Sequence, residues 1–99
     1  LSPESLGLYL SRQPIPYPRE RENVTYYKQV CVYGFRREPL LQFQSRGQTY
    51  LERTEGIELL RFLEMGMQVK FVQVDGGTTA VDTPSDLARV NQLMSSRAA

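Results

Sequence analysis

Three stretches rich in apolar residues predict β-strands, at residues 8–12, 26–35 and 67–74. The second stretch carries the strongest pattern, because both of its sides are largely apolar, with Val32 on one side and Tyr33 on the other. A strand that is apolar on both sides is typical of the interior of a covered sheet. We therefore expect residues 26–35 to lie inside a sheet with cover on both faces.

Helical periodicity predicts three helices, at residues 37–43, at residues 50–64 and from Pro84 onward. The apolar positions of the second helix cover well over half of its circumference, which predicts burial against more than one neighbour. Gly56 lies inside this helix, where it costs up to roughly 1 kcal/mol relative to Ala and can mark a close approach to another element. Gly66 is the expected stop of the same helix.

The predicted order is strand, strand, two helices, strand, helix. Strands joined through helices require crossover connections, which predicts an α/β fold with about three strands and three helices. The 99 residues are enough for a single small domain, taken here as residues 1–99. Such a domain is stable alone only if it buries most of its apolar surface. We therefore expect a longer chain or a partner to supply further strands, and the start at Leu1 suggests a truncation.

Composition excludes several classes of function. A net charge of +1 gives no general attraction to nucleic acid or to a membrane surface. Cys31 is the single cysteine and there is no histidine, so a disulfide framework is excluded and a structural zinc site is close to impossible. Nothing resembles a signal peptide or a bilayer-spanning run. Cys31 is expected to be a buried, reduced thiol in a cytoplasmic protein.

The start of the last helix carries the first candidate for chemistry. Thr83 is a good N-cap, Pro84 suits the first helical position, and Asp86 places negative charge in the first turn. Asp82 precedes the cap, and capping does not explain it. A carboxylate held at such a junction suits Mg²⁺, which accepts one or two carboxylates together with phosphate oxygens. The alternative is that Asp82 only closes a turn.

Two further pairs of residues are candidate binding groups. Arg12 and Arg19 flank a proline-rich segment, residues 13–18, and could hold a carboxylate or a phosphate, unless the segment is simply a rigid connector. Gln29 and Tyr33 fall on the same side of the second predicted strand, so they could line one cavity. A buried Gln needs partners for its amide, which either the backbone or a polar cavity would provide.

Glu52, Arg53 and Glu55 lie at the start of the long predicted helix. Carboxylates are favoured there by the helix dipole, so a cluster of charges at a helix start is the simpler interpretation. The sequence contains no glycine-rich phosphate loop, no nucleophile with a base beside it and no paired catalytic carboxylates. These residues alone do not make a complete active site.

Four segments resemble the 3-deoxy-manno-octulosonate cytidylyltransferases, the CMP-KDO synthetases, in the same order along the chain. They are LYLSRQPIPYPR at residues 8–19, QVCVYGF at 29–35, YLERTEGIELLR at 50–61 and AVDTPSDL at 80–87. The resemblance covers nearly the whole chain but only the C-terminal part, less than half, of the family's enzyme. It implies the C-terminal part of a nucleotide-diphospho-sugar-transferase-like, Rossmann-like mixed sheet.

The resemblance implies activation of an eight-carbon keto-sugar acid by CTP with Mg²⁺, releasing pyrophosphate. Asp82 matches a catalytic magnesium ligand of the family, and the sugar-acid pocket positions are matched by Arg12, Tyr33 and Glu52. Gln29 stands where the family typically has His, and Arg53 stands where a Gln or His is usual. Both departures bear on the sugar pocket, so a synthetase for sialic acid or for a modified KDO would fit nearly as well.

The family's phosphate-binding loop, cytosine pocket and second metal-binding Asp belong to an N-terminal half that these residues do not include. We therefore expect that this polypeptide alone does not turn over CTP. The resemblance also implies a homodimer, with the proline-rich segment and the strand after it in the contact. The alternative is a freestanding interaction module, without catalysis, whose apolar helix and proline-rich segment bind another protein.

Overall fold

The computed structural model describes residues 1–20, 23–75 and 81–98. Four helices are present in these ranges: α1 Arg37–Arg46, α2 Tyr50–Glu55, α3 Leu59–Glu64 and α4 Pro84–Ala98. Ala80, the first residue of the segment AVDTPSDL, lies outside the described ranges. The helices therefore define the architecture that positions the candidate site.

The expectation of three strands is not confirmed in the described ranges. Residues 8–12 and 26–35 have no ladder partner there, and residues 67–74 take part in only one isolated bridge. Strands exist only where backbone groups pair across segments, and apolar patterning alone cannot supply that pairing. Val32 and Val72 consequently remain 84% and 80% exposed instead of lying inside a covered sheet.

The bridge joins the N-terminal segment to the chain after α3. It pairs Leu6 with Lys70 in antiparallel orientation. The amide of Gly7 donates to the Val69 carbonyl at 2.8 Å, and the amide of Phe71 donates to the Ser5 carbonyl at 2.9 Å. This short pairing holds the start of the chain beside the segment that follows α3.

The long helix predicted at residues 50–64 is two helices, α2 and α3, separated at Gly56. Gly56 adopts a left-handed conformation with φ +68°, and its amide and that of Ile57 both donate to the Glu52 carbonyl. A residue with this φ ends a helix, and Gly reaches it without the steric cost of a Cβ. The prediction of one continuous helix was therefore wrong. The close approach expected at Gly56 is confirmed, because the Arg12 side chain lies against this glycine.

The ends of the other helices agree with their sequence signals. α1 reaches Arg46, beyond its predicted end, and stops at Gly47. α4 begins at Pro84, where the Thr83 hydroxyl accepts from the Asp86 amide at 3.1 Å and the Asp86 carboxylate accepts from the Thr83 amide at 3.2 Å. The Thr83 cap is the one the sequence predicts, and the return bond to the Asp86 carboxylate makes it reciprocal. None of the helices in the described ranges has the length and apolar character needed to cross a membrane.

A buried ion pair holds α2 against α3. Arg61 donates to Glu52 through two parallel hydrogen bonds, Nε to Oε1 at 2.7 Å and Nη2 to Oε2 at 2.7 Å. Glu52 is only 3% exposed, and it also accepts from the Thr49 amide at 3.1 Å. Arg61 Nη1 donates to the Phe43 carbonyl of α1 at 2.9 Å. All three helices of the unit are therefore joined at this pair.

Aromatic packing closes the core around the same arginine. The Arg61 guanidinium lies 3.8 Å from the centre of the Phe43 ring, an arrangement favourable to a cation over an aromatic face. Phe62 stacks on Phe43 with ring centres 4.5 Å apart and on Phe35 at 5.4 Å. Leu60 beside them is completely buried. The buried apolar residues Leu59, Leu60 and Phe62 all belong to α3, and the aromatic contacts continue from Phe62 through Phe35 to Tyr33, whose ring centre lies 6.2 Å from that of Phe35.

Replacing Glu52 with Gln is expected to destabilise the chain by about 3–5 kcal/mol, because the variant leaves the Arg61 charge buried without its counter-ion. The measurement is the free energy of unfolding in urea. Glu20→Gln is the matched control, since Glu20 pairs with Arg19 only at 4.0 Å and the two side chains are 75% and 91% exposed. Equal effects of the two substitutions would contradict a structural role for the buried pair.

Stability is also expected to fall in acid. Hydrogen bonds from Arg61 lower the pKa of Glu52, so the unfolded state takes up a proton before the folded state does. The stabilisation is complete above the ordinary glutamate pKa of roughly 4.3 and is lost as the pH falls through the lowered value. Urea midpoints measured across this range should decline in the native chain and decline less in Glu52→Gln. Parallel curves would show that another group controls the loss.

Candidate functional site

Three of the predicted binding residues meet at one cavity. Arg12, Gln29 and Tyr33 line a cavity of about 730 Å³ whose wall is completed by α1, by α3 and by the turn between α2 and α3. Its lining combines two cations, one carboxylate, an amide, a phenol and apolar rings: Arg12, Lys28, Glu58, Gln29, Tyr33 and Phe62. Such a mixture suits a small ligand that carries both an anionic group and hydroxyl groups.

Arg12 is held at the C-terminal end of α2. Its Nε donates to the Glu55 carbonyl at 2.7 Å and its Nη2 donates to the Gly56 carbonyl at 2.6 Å. Carbonyls at a helix C-terminus lack partners within the helix and favour a cation. A Cβ on Gly56 would lie 3.3 Å from Arg12 Nη2, so the glycine also makes room for the guanidinium. The remaining N–H groups of Arg12 are left for a ligand in the cavity.

Glu55 and Tyr9 surround Arg12. The sequence pattern gave no sign of Tyr9, and it indicated Glu55 only as part of a charge cluster at a helix start. Glu55 Oε1 accepts from the Arg12 amide at 3.0 Å, and Glu55 Oε2 accepts from the Tyr9 hydroxyl at 2.8 Å. The Arg12 amide and the Tyr9 hydroxyl lower the pKa of Glu55, and the carboxylate in turn raises the pKa of Tyr9. These hydrogen bonds join residues more than forty positions apart in the chain, so no local sequence pattern predicts them.

Gln29 and Tyr33 form a hydrogen-bonded pair on the other side of the cavity, with the Gln29 amide donating to the Tyr33 hydroxyl. Burial, followed by the Cys31 thiol, raises the pKa of Tyr33, which keeps its phenol protonated at neutral pH. Gln29 and Tyr33 share a side of the extended segment, as predicted. Cys31 between them is exposed, so the expectation of a buried thiol was wrong, because no second strand covers this segment in the described ranges.

The other predicted site residues lie apart from this cavity. Both oxygens of Glu52 are bonded within the fold, as described above, and Arg53 is exposed in the last turn of α2. Arg19 is exposed beside Glu20 and does not line the cavity either. Ligand binding by Glu52, Arg53 and Arg19 stays a prediction.

Asp82 is exposed immediately before the cap of α4 and does not line the cavity. Its amide donates to the Asp86 carboxylate at 3.2 Å, whereas its own carboxylate accepts no hydrogen bond from the described part of the chain. Within those same ranges no cluster of three or more potential metal-ligating side chains occurs. One accessible carboxylate fits a single ligand position of a Mg²⁺ ion whose other ligands are phosphate oxygens and water.

Comparison with known proteins gives a consistent result. A family model described as Cytidylyltransferase matches residues 1–70. The 3-deoxy-manno-octulosonate cytidylyltransferase of Christiangramia forsetii is 41% identical over 93 residues, and its namesakes in Flavobacterium johnsoniae and Escherichia coli are 40% and 38% identical over 89 and 88 residues. These matches cover 93%, 89% and 89% of this chain.

The same matches cover only 38%, 36% and 36% of the relatives. The chain therefore spans less than two fifths of the length of each of these three relatives. The family model includes Arg12, Gln29, Tyr33, Glu52 and Arg53 but ends before Asp82. The residues of the cavity thus lie inside the matched segment, and Asp82 lies outside it.

Replacing Gly56 with Ala is expected to cost about 1–2 kcal/mol, because an alanine is strained at φ +68°. The free energy of unfolding in urea measures the effect. Gly34→Ala is the control, since a Cβ there has no neighbour within 4 Å and Gly34 lacks a positive φ. If both variants unfold at the same urea concentration as the native chain, the turn between α2 and α3 does not depend on the glycine.

Proposed function

The chain belongs to the cytidylyltransferase family, and from this premise we propose that it forms the sugar-acid-binding part of an enzyme that activates a keto-sugar acid with CTP. The observation that supports the proposal is the meeting of Arg12, Gln29 and Tyr33 at one cavity. KDO is the proposed acid, because the relatives are named for it. An acid of the sialic acid type is the alternative.

The cavity offers a complementary group for each part of such an acid. Arg12 presents a guanidinium whose position is fixed by two helix carbonyls, and a guanidinium binds a carboxylate in forked geometry. The Gln29 amide and the protonated Tyr33 phenol can exchange hydrogen bonds with sugar hydroxyls. The apolar rings beside them suit the carbon face of the sugar.

In the proposed reaction the anomeric hydroxyl oxygen of the acid attacks the α-phosphorus of CTP. The new O–P bond forms as the bond between the α-phosphorus and the bridging oxygen breaks, pyrophosphate leaves, and the hydroxyl proton passes to solvent water. The chain's contribution is to hold the acid in line, which supplies much of the catalysis in such transfers. Asp82 would hold Mg²⁺, which neutralises phosphate charge when bound.

We further propose that the complete protein is a cytoplasmic homodimer. The exposed apolar side chains of residues 26–35 and 67–74 support an association surface, since Val32 and Val72 are almost fully in solvent in the described chain. The same observation supports the second candidate function, an interaction module without catalysis. The two candidates differ in whether nucleotide chemistry depends on this segment.

The proposal is tested in a chimaera in which this chain replaces the matched 38% of the Christiangramia forsetii relative. With CTP, KDO and Mg²⁺ the chimaera is expected to release pyrophosphate, whereas the 99 residues alone release none. Asp82→Asn in the chimaera should lower kcat/KM by about a hundredfold or more, because the substitution removes the charge that holds the cation. Half-saturation by Mg²⁺ should also require a higher concentration.

Asp75→Asn is the matched control, because Asp75 is an exposed carboxylate that the proposal does not use. It should leave both the rate and the Mg²⁺ dependence unchanged. An inactive chimaera that nevertheless folds would reject the function, and an active chimaera with an unaffected Asp82→Asn would reject the role of Asp82 alone.

A further inference from the structure

We propose that Glu55 and Tyr9 are positioning residues for Arg12. Together they fix the segment of residues 9–12 against the end of α2, so that the Arg12 guanidinium faces the cavity that contains Gln29 and Tyr33. The inference rests on the proposed function, since it assumes that this cavity binds the sugar acid. Neither residue lines the cavity itself, so both act through Arg12.

The Glu55 carboxylate bonds two groups of the same segment at once. Oε1 takes the Arg12 amide and Oε2 takes the Tyr9 hydroxyl, at 3.0 and 2.8 Å. The Arg12 side chain returns to the backbone of the same helix end, through the carbonyls of Glu55 and Gly56. Both the backbone and the side chain of Arg12 are therefore fixed to one turn.

The position of Glu55 in α2 does not by itself explain why a negatively charged side chain is found there. Glu55 is the last residue of α2, where the helix dipole disfavours negative charge. The periodicity of residues 50–64 predicts one helix through Gly56, which would put Glu55 near the helix start, where a negative charge is favourable. With α2 ending at Glu55, its carboxylate is accounted for by the contacts with Arg12 and Tyr9.

The test uses the chimaera and separates binding of the acid from the fold. Glu55→Ala should raise KM for KDO roughly tenfold, the effect of losing a charge-assisted hydrogen bond. KM for CTP should stay within about twofold, because the nucleotide is held elsewhere. Tyr9→Phe should give a smaller rise. Glu55→Gln, whose amide oxygen can still accept from the Arg12 amide, should recover part of the loss.

Glu64→Ala is the matched control. Glu64 accepts hydrogen bonds from the amides of Leu51 and Glu52 at the opposite end of α2. Its removal frees only that first turn, because the Glu52–Arg61 pair still fixes α2 and no hydrogen bond of Arg12 is lost. Glu64→Ala should lower the melting temperature but leave KM for KDO unchanged. If both variants raise KM for KDO equally, Glu55 is only structural and the inference is wrong.

A second measurement keeps the inference testable if the chimaera is inactive, a result that counts against the proposed function alone. Trypsin cleaves after arginine in accessible, mobile backbone. Cleavage between Arg12 and Gln13 in the native chain should be several-fold slower than in Glu55→Ala, whereas Glu64→Ala should not speed it. Equal cleavage in the native chain and Glu55→Ala would overturn the proposed fixation of this segment.

Discussion

The ion pair between Glu52 and Arg61 is the contact on which the described fold depends. The two helices it joins have six residues each, too few to be stable as isolated helices. Taking two charges out of water is costly, and the cost is offset only when the geometry is good and the remaining donors and acceptors are satisfied. Both conditions hold here, because the pair is bidentate and the Thr49 amide and the Phe43 carbonyl complete it.

The same pair reaches the candidate site through α2. Glu52 fixes α2 against α3, and the far end of α2 presents Glu55 and Gly56 to Arg12. A small rotation of α2 would therefore move the guanidinium relative to Tyr33. This gives Glu52 an indirect importance for the cavity even though its carboxylate does not line it.

Features that depend on neighbouring residues were predicted from the sequence, whereas contacts between distant parts of the chain were not. The start of α4 was predicted from Thr83, Pro84 and Asp86, and it is confirmed by hydrogen bonds between residues three positions apart. Gln29 and Tyr33 were predicted to share a side of their segment, and the Gln29 amide does donate to the Tyr33 hydroxyl, although the chain bends at Cys31 between them. The fixation of Arg12 by Glu55 spans more than forty residues and was not predicted. Gly56 was predicted to mark a close approach. The helical periodicity on both sides of it nevertheless predicted one continuous helix, so the break between α2 and α3 was missed.

The segment of residues 26–35, which was predicted to be a covered strand, has one side without cover in the described structure. Within residues 26–35 the chain bends at Cys31, where the Val32 amide donates to the Val30 carbonyl at 2.9 Å. Val32 does not line the cavity that Arg12 shares with Gln29 and Tyr33. Val32 is 84% exposed, and nothing in the described ranges fixes that side. Within the described residues, hydrogen bonds to the end of α2 hold the Arg12 side of the cavity. The Tyr33 side is held by ring contacts, because the Phe35 ring lies 6.2 Å from Tyr33 and 5.4 Å from Phe62. A surface that covers Val32 would add to these contacts by restricting the backbone next to Tyr33.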